Sequence, residues 1–335
     1  MIVAIDIGGA NLKLARSDGQ YRSSPFPLWQ KPSELSNELV RFLPDSMPAS
    51  RLLVTMTGEL CDCYTSRAHG VTSIANAVLE ATGSLGAASP EFWTTRADLV
   101  SHDSLVAEAE LGAASNWVAL AEWSAHHLKT EAMLVDIGST TSDLIAIGPT
   151  GPRIQGRDDT ARLESGELVY TGVGRSPIAS LLATATLRGR KTRLAAENFA
   201  TTADAYTILG DLSPDADRVG ADGRPGTLDE SRHRLARMFC FDSPAFTHTD
   251  AVELSAQIRK AQLARLADAW QQVTQSTRLD PRCALVCGSG EFLAAQLAES
   301  LGIENVLRLS EIASPLASEC ACAFALVRLA EDAII

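Results

Sequence analysis

The sequence predicts a two-domain α/β protein with a cleft between the domains, and three observations lead there. Residues 2–16, IVAIDIGGANLKLAR, and residues 133–147, MLVDIGSTTSDLIAI, share one pattern. Each is an apolar strand ending in Asp, a turn of small residues, and a second strand with alternating apolar positions, which reads as a β-hairpin. Residues 283–302, CALVCGSGEFLAAQLAESLG, give a strand, a glycine turn and a helix. Elsewhere short apolar runs alternate with helical periodicities, the order expected of layered α/β domains. The recurrence of the hairpin points to an old duplication. Residues 1–130 with about 315–335 are the expected first domain, and residues 131–314 the second.

Between the hairpins, residues 51–59 (RLLVTMTGE) read as a strand and residues 70–82 as a helix, followed by a short strand at 92–95 and a helix near 103–112. Residues 114–128 have helical spacing, with Trp117, Leu120, Ala121 and Leu128 on one face. Asn116 either caps that helix or points into the cleft. In the second half, Ser176-Pro177 starts a helix expected over 176–188, because Ser caps and Pro suits the first helical turn. Residues 210–227, rich in Gly, Pro and Asp, read as a long loop of the lid or binding kind. A helix over 250–276, a strand at 305–309 and an apolar helix from about 315 to 334 complete the chain.

Composition narrows the function classes. Of 335 residues, 46% are hydrophobic and 21% charged, the balance of a globular protein. The longest apolar runs, such as Ala132 to Val135 and Ala284 to Val286, are strand-length, far short of the roughly 20 residues that cross a bilayer. The chain opens directly on a strand with no basic region, so the expected location is the cytoplasm, away from membranes. A net charge of −12 repels a phosphate backbone, and no nucleic-acid partner is expected. Seven cysteines, including the pairs Cys61/Cys63 and Cys320/Cys322, lack the spacing of a zinc site and are expected to be buried thiols. A homodimer is compatible with the sequence.

The turns carry the chemistry. In Asp6-Ile-Gly8-Gly9-Ala-Asn11-Leu-Lys13, glycines let main-chain N–H groups approach a phosphate. Asp6 is a candidate Mg²⁺ ligand, and Lys13 would neutralise a phosphate oxygen. Asp136-Ile-Gly138-Ser139-Thr140-Thr141-Ser-Asp143 offers a second Asp, a second turn and several hydroxyls. Gly288-Ser289-Gly290 stands before a helix, where backbone N–H groups and the helix dipole favour anions. Taken together, in this order, the three resemble the phosphate 1, phosphate 2 and adenosine elements of the actin-like ATPase, sugar-kinase and heat-shock-70 superfamily, with its ribonuclease H-like fold. The second turn departs from the Gly-Gly-Gly-Thr common in chaperones and actins, which argues against tight binding of a nucleoside triphosphate.

Other segments resemble one family more closely. TMTGELCDCYTSRAHGV (55–71), AASNWVALA (113–121), GELVYTGVGRSPI (166–178), ENFATTADAYTILG (197–210) and ADGRPGT (221–227) look like hydantoinase/oxoprolinase-related proteins of tetrahydromethanopterin-linked one-carbon transfer. The resemblance implies a transferase of methanofuran-type cofactor biosynthesis. Its small-molecule partners would be an aminomethylfuran-methyl diphosphate and a phenolic acceptor, joined as an ether with release of diphosphate. Asp6 and Asp136 would hold Mg²⁺ on the diphosphate, with Lys13, the turn amides and Arg175 stabilising its charge. ATP is not required. A phenol with pKa near 10 gains from a general base, and Glu59, His69, Glu167 and Asp204 are the candidates. Tyr170 and Trp117 are either ring-stacking or core residues, and Thr201, Thr202 and Asp204 compete as helix caps. The alternatives are an ATP-dependent kinase or hydrolase of the same superfamily, with Asp62 or Asp103 as base, and a non-catalytic nucleotide-binding regulator.

Overall fold

The computed structural model describes residues 1–44 and 50–332. Its frame is two sheets of like plan. In the first, β1 (Ile2–Ile7) and β2 (Asn11–Arg16) form the first hairpin, β3 (Tyr21–Pro25) extends it, and β4 (Arg51–Met56), β5 (Glu91–Trp93) and β6 (Leu99–Val100) complete the order β3-β2-β1-β4-β5-β6. In the second, β7 (Ala132–Ile137) and β8 (Ser142–Gly148) form the equivalent hairpin. It is edged by β9 (Gly151–Pro152) and β10 (Leu168–Val169). In both sheets the hairpin's first strand pairs parallel with a strand that returns much later, β4 on β1 and Cys283–Cys287 on β7.

Strand periodicity decides what each face does, because successive side chains point to opposite sides. Val3, Ile5 and Ile7 face an outer core with α1 (Leu35–Phe42) and α2 (Arg67–Ser84), while Ala4 faces inward. In β7, Met133, Val135 and Ile137 face the outer core of the second sheet, and Ala132 and Leu134 face inward. The inner faces are covered by α4 (Asn116–Leu128), which follows α3 (His102–Ala107), and by Ala321–Glu331 near the C-terminal end. Trp123 of α4 meets Phe324 edge-on, with ring centroids 4.9 Å apart. One helical layer thus serves both sheets. By the same parity Asp6, Lys13, Asp136 and Asp143 lie on the inner side, where that layer gives way to the cleft.

A further lobe grows from the second half. After α5 (Asp159–Ser165) come α6 (Ile178–Leu181), the hairpin β11 (Thr184–Leu187) and β12 (Arg190–Arg193), and α7 (Thr202–Leu209). Then follow the hairpin β13 (Asp215–Val219) and β14 (Pro225–Gly226), α8 (Leu228–Arg237) and the long α9 (His248–Thr277). The chain closes with β15 (Cys283–Cys287), α10 (Glu291–Ser300), β16 (Asn305–Arg308), α11 (Leu309–Ile312), α12 (Pro315–Glu319) and α13 (Ala321–Glu331).

Four expectations need correction here. The helix expected over 176–188 is a single turn, because residues 184–187 alternate as a strand with Ala185 and Leu187 inward. Arg188 and Gly189 then take φ values of 51° and 75°, the turn geometry that matches strand twist. The loop expected over 210–227 contains the β13–β14 hairpin. The helix near 103–112 ends at Ala107 and continues as a 3₁₀ turn, Ala109–Gly112. The closing helix breaks at Cys320, whose thiol contacts Arg22 O at 3.4 Å; residues 333–335 lie outside the described part. Four of the seven cysteines are buried, Cys61 and Cys63 are half-buried and Cys240 is exposed, all as free thiols.

The added lobe is pinned by a buried ion pair. Asp204 Oδ2 accepts from Thr201 N at 2.9 Å in a capping box at the start of α7. Its Oδ1 receives Arg234 Nε at 2.8 Å and Nη2 at 2.7 Å, with both side chains almost fully buried. Arg234 Nη1 also reaches Asp222 Oδ1 at 3.0 Å, so removing Asp204 leaves the buried guanidinium one carboxylate in place of two. Asp204→Ala should therefore lower unfolding stability by about 1.5–3 kcal/mol, the scale of hydrogen bonds to a charged group, read by urea denaturation. A loss below about 1 kcal/mol, the ordinary surface value, would refute this structural role.

Candidate active site

The cleft holds two contiguous cavities, of about 120 Å³ and about 530 Å³. Gly9, Ala10, Thr57, Asn116, Thr140, Thr141 and Asp143 line both, so the smaller opens into the larger.

The smaller cavity is walled by the two hairpin turns. Each turn closes in the same way, Gly8 N donating to Asn11 O at 3.0 Å and Gly138 N to Thr141 O at 2.9 Å. In each, the segment that follows takes the outer carbonyls. Leu28 N and Phe26 N bind Gly9 O and Ala10 O; Val173 N binds Gly138 O; Gly174 N and Arg175 N bind Ser139 O. Among the described residues no acceptor takes the amides of Gly9, Ala10, Ser139 or Thr140. Four such donors around a small polar cavity form an anion cradle. The first turn is tight: a Cβ on Gly9 would stand 2.8 Å from Cys61 Sγ and oblige that side chain to shift.

Register places the charges. Asp6 pairs across its hairpin with Lys13, and Asp136 with Asp143, so the two copies differ by a lysine in one and a carboxylate in the other. Burial drives the Asp6 carboxyl up, against Lys13 and a hydrogen bond from Asn116 Nδ2 at 3.3 Å. Burial and then Asp143 push Asp136 up to about 7. Burial opposes the Lys13 charge, yet Asp6 and Asp136 outweigh it and hold the ammonium above its usual range. Asp6 Oδ1 is buried with no hydrogen-bond partner among the described residues. Among the described residues no group of three or more His, Cys, Asp or Glu side chains stands ready to hold a metal. Two carboxylates completed by a ligand's phosphate oxygens and water are, however, the ordinary surroundings of Mg²⁺. The unpartnered Asp6 oxygen beside a phosphate-sized cradle fits that ion.

The larger cavity is more varied. Trp29 and Tyr170 line it with exposed rings. Arg162 lies 4.0 Å over the Trp117 ring and binds Asp143 Oδ1 at 2.7 Å. Arg67 of α2 binds Asp159 of α5 at 2.8 Å, a tie between the two halves of the chain. Arg175 is exposed on the wall, and Glu59 is 2% exposed, its carboxyl pushed by burial up to about 7.

Asp6, Lys13, Asp136, Gly8, Gly9, Asn11, Gly138, Ser139, Thr140 and Thr141 thus meet at the smaller cavity, and Glu59 and Arg175 at the larger. The other candidates stand apart. His69 is exposed on the first turn of α2, its Nδ1 3.1 Å from Thr65 Oγ1, and lines neither cavity. Asp204 belongs to the cap and ion pair described above. Glu167 accepts from Gln155 N and Gly156 N at 2.8 Å, which makes it a clamp on the loop after β9. Gly288, Ser289 and Gly290 line neither cavity: Gly288 N is taken by Ser318 and Gly290 N by Ile137 O. Glu291, in the first turn of α10, holds Ser310 and Ser318. Asn116 both binds Asp6 and accepts from Trp117 N at 2.7 Å. Sequence reasoning missed Trp29, Asp159 and Arg162; the last two share α5, and none of the three carries a motif.

Known proteins resemble this chain in fold and in sequence. Its sheets superpose on nucleotide-free acetone carboxylase with a TM-score of 0.58 at 11% identity, over 96% of this chain and 70% of that one, a likeness of fold alone. Together with the paired hairpins, it gives the chain the actin-like ATPase fold. A protein of Methanocaldococcus jannaschii named (4-{4-[2-(γ-L-glutamylamino)ethyl]phenoxymethyl}furan-2-yl)methanamine synthase is 28% identical over 333 residues, 98% of this chain and 97% of its own length. One of the same name from Methanococcus vannielii is 24% identical over 193 residues, 57% of this chain and 86% of its own. The hydantoinase/oxoprolinase pattern matches residues 53–331, and the chain belongs to that family.

Proposed function

We propose that this chain is a cytoplasmic transferase of methanofuran-type cofactor biosynthesis. It joins an aminomethylfuran-methyl diphosphate to the phenol of a tyramine or tyrosine derivative, forming an aryl ether and releasing diphosphate. The observation that carries this reading is the continuity of the two cavities. A small anion cradle opens directly into a larger space with exposed aromatic rings, a layout suited to a phosphorylated furan and an aryl acceptor. The relatives' name, a phenoxymethyl furan methanamine, describes a product with those two halves.

In this reading the diphosphate sits on the amides of Gly9, Ala10, Ser139 and Thr140, with Lys13 beside it. Mg²⁺ held by Asp6 and Asp136 would neutralise charge on its oxygens. As the bond from the furan methylene to the diphosphate oxygen breaks, its electron pair departs with diphosphate. The cradle stabilises that growing charge without reorganising, which is a leading source of rate enhancement in a water-poor site. The electron-rich furan supports positive charge on the methylene, and the phenol oxygen captures it. ATP has no part in this sequence. The amides of Gly288 and Gly290, which the third turn would offer a nucleotide, are engaged within the protein.

The test is to incubate the protein with Mg²⁺, the furan diphosphate and tyramine, tyrosine or γ-glutamyltyramine, following ether and diphosphate by mass spectrometry. Ether should form without ATP, and its yield across the three phenols identifies the acceptor. Release of ADP or phosphate from ATP with no ether would move the chain to the kinases or hydrolases. Asp6→Asn and Asp136→Asn should each cut turnover by about 10²–10³-fold, the loss typical of one charge-stabilising group. Both variants should melt as the parent does; full activity in either would remove its carboxylate from the diphosphate site.

A further inference from the structure

The larger cavity holds polar atoms for which the diphosphate chemistry has no use. Glu59 stands in its wall, 2% exposed, and its Oε2 has no hydrogen-bond partner among the described residues. Trp117 lines the same cavity, with its indole Nε1 buried and likewise unpartnered. The other carboxylates there are accounted for: Asp143 by Arg162, Asp159 by Arg67, and Asp62 by solvent. Buried polar atoms without partners are costly and uncommon. A hydroxyl, which donates one hydrogen bond and accepts others, is the group that would satisfy an acceptor and a donor together.

We propose that Glu59 is the catalytic base for the acceptor, taking the proton of an aryl hydroxyl that docks beside it among the rings of Trp29, Trp117 and Tyr170. The assignment deepens the transferase reading and rests on it. The phenol O–H bond breaks and its proton passes to the Glu59 carboxylate. The freed oxygen pair forms the new bond to the furan methylene, and the electron pair of the old methylene–oxygen bond leaves with diphosphate. Glu59 then returns its proton to water.

The backbone around Glu59 is set by contact. Gly70 of α2 packs so closely that a Cβ there would fall 2.4 Å from Glu59 O. Burial pushes the carboxyl up to about 7, where it is both largely ionised at mildly alkaline pH and basic enough to take a phenolic proton. The titratable and charged groups around it are Cys61 and Asp62 on its own loop, Arg67 on α2, Asp159 on α5, and Tyr170 and Arg175 across the cavity.

The test compares wild type with Glu59→Gln, using tyramine and a nitro-substituted tyramine whose more acidic phenol is ionised without help. With tyramine, the wild-type rate should rise with pH through about 7 as the base ionises. Glu59→Gln should lose about 10²–10⁴-fold in kcat together with that pH dependence. With the nitrophenol above pH 8 the two proteins should agree within about threefold, since no proton remains to be taken. Because the folded carboxyl titrates above its unfolded value, the stability contributed by Glu59 is lost as pH rises from about 4.5 to about 7. The neutral amide should therefore melt no lower than wild type at pH 8. Should the glutamine variant fail to fold, the pH profile of Glu59→Asp, which keeps a base on a shorter arm, carries the comparison. Parity of Glu59→Gln with tyramine, or an equal loss with both acceptors, overturns the assignment while the transferase reading stands. Absence of ether from wild type with every phenol removes the transferase reading itself.

Discussion

Three carboxylates and one ammonium converge where the two hairpins meet, and this imbalance is the constraint around which the rest is arranged. Asp143 is answered by Arg162, which is itself braced over Trp117. Lys13 is then left to serve both Asp6 and Asp136, and it cannot fully satisfy either, since burial and neighbouring charge drive both carboxyls upward. The strand register fixes these groups on the inner face, and α4 contributes Asn116 to Asp6. The turns present unclaimed amides to the same space. Left to themselves these groups are in conflict; in the proposed reading, an anion that brings a divalent cation would resolve both sides of it at once.

The two cavities divide the work of recognition differently. In the proposed reading the smaller relies on backbone, whose N–H groups would donate to any phosphate that fits them. The larger relies on side chains from separate elements: Trp29 after β3, Glu59 after β4, Tyr170 and Arg175 after β10. In the proposed reading, choice of acceptor would reside in these side chains, while the backbone of the segments after β3 and β10 also holds the two turns of the cradle.

That division also explains what could be read in the sequence. The hairpins announce themselves locally, through period-two apolar strands ending in Asp and a glycine turn, and Asp6, Lys13 and Asp136 follow from them. Arg162 and Asp159 do not, because each acquires meaning only from partners such as Trp117, Asp143 or Arg67 brought close by tertiary packing. Asp204 carried two signals at once. The Thr-x-x-Asp spacing gave the cap, and the distant Arg234 completed a structural role no local pattern contains. The helix expected over 176–188 was lost to a turn at Arg188-Gly189; its single turn starts after Pro177 with no side-chain cap, and Ser176 binds Gly172 instead. At Gly288 the anion-binding look of a glycine turn before a helix was real in geometry, but its amides were spent on Ser318 and Ile137.

The shared helical layer has a consequence for how the chain is made. The inner face of the first sheet, with Ala4, Ala15 and Leu53, is covered partly by α13, and Ser23 and Arg22 of β3 bond to Glu319 and Cys320 just before it. On a ribosome that lays down N-terminal residues first, strands β1 to β4 wait for residues 319–331 before their inner surface is closed. The two halves therefore do not mature one after the other as independent units.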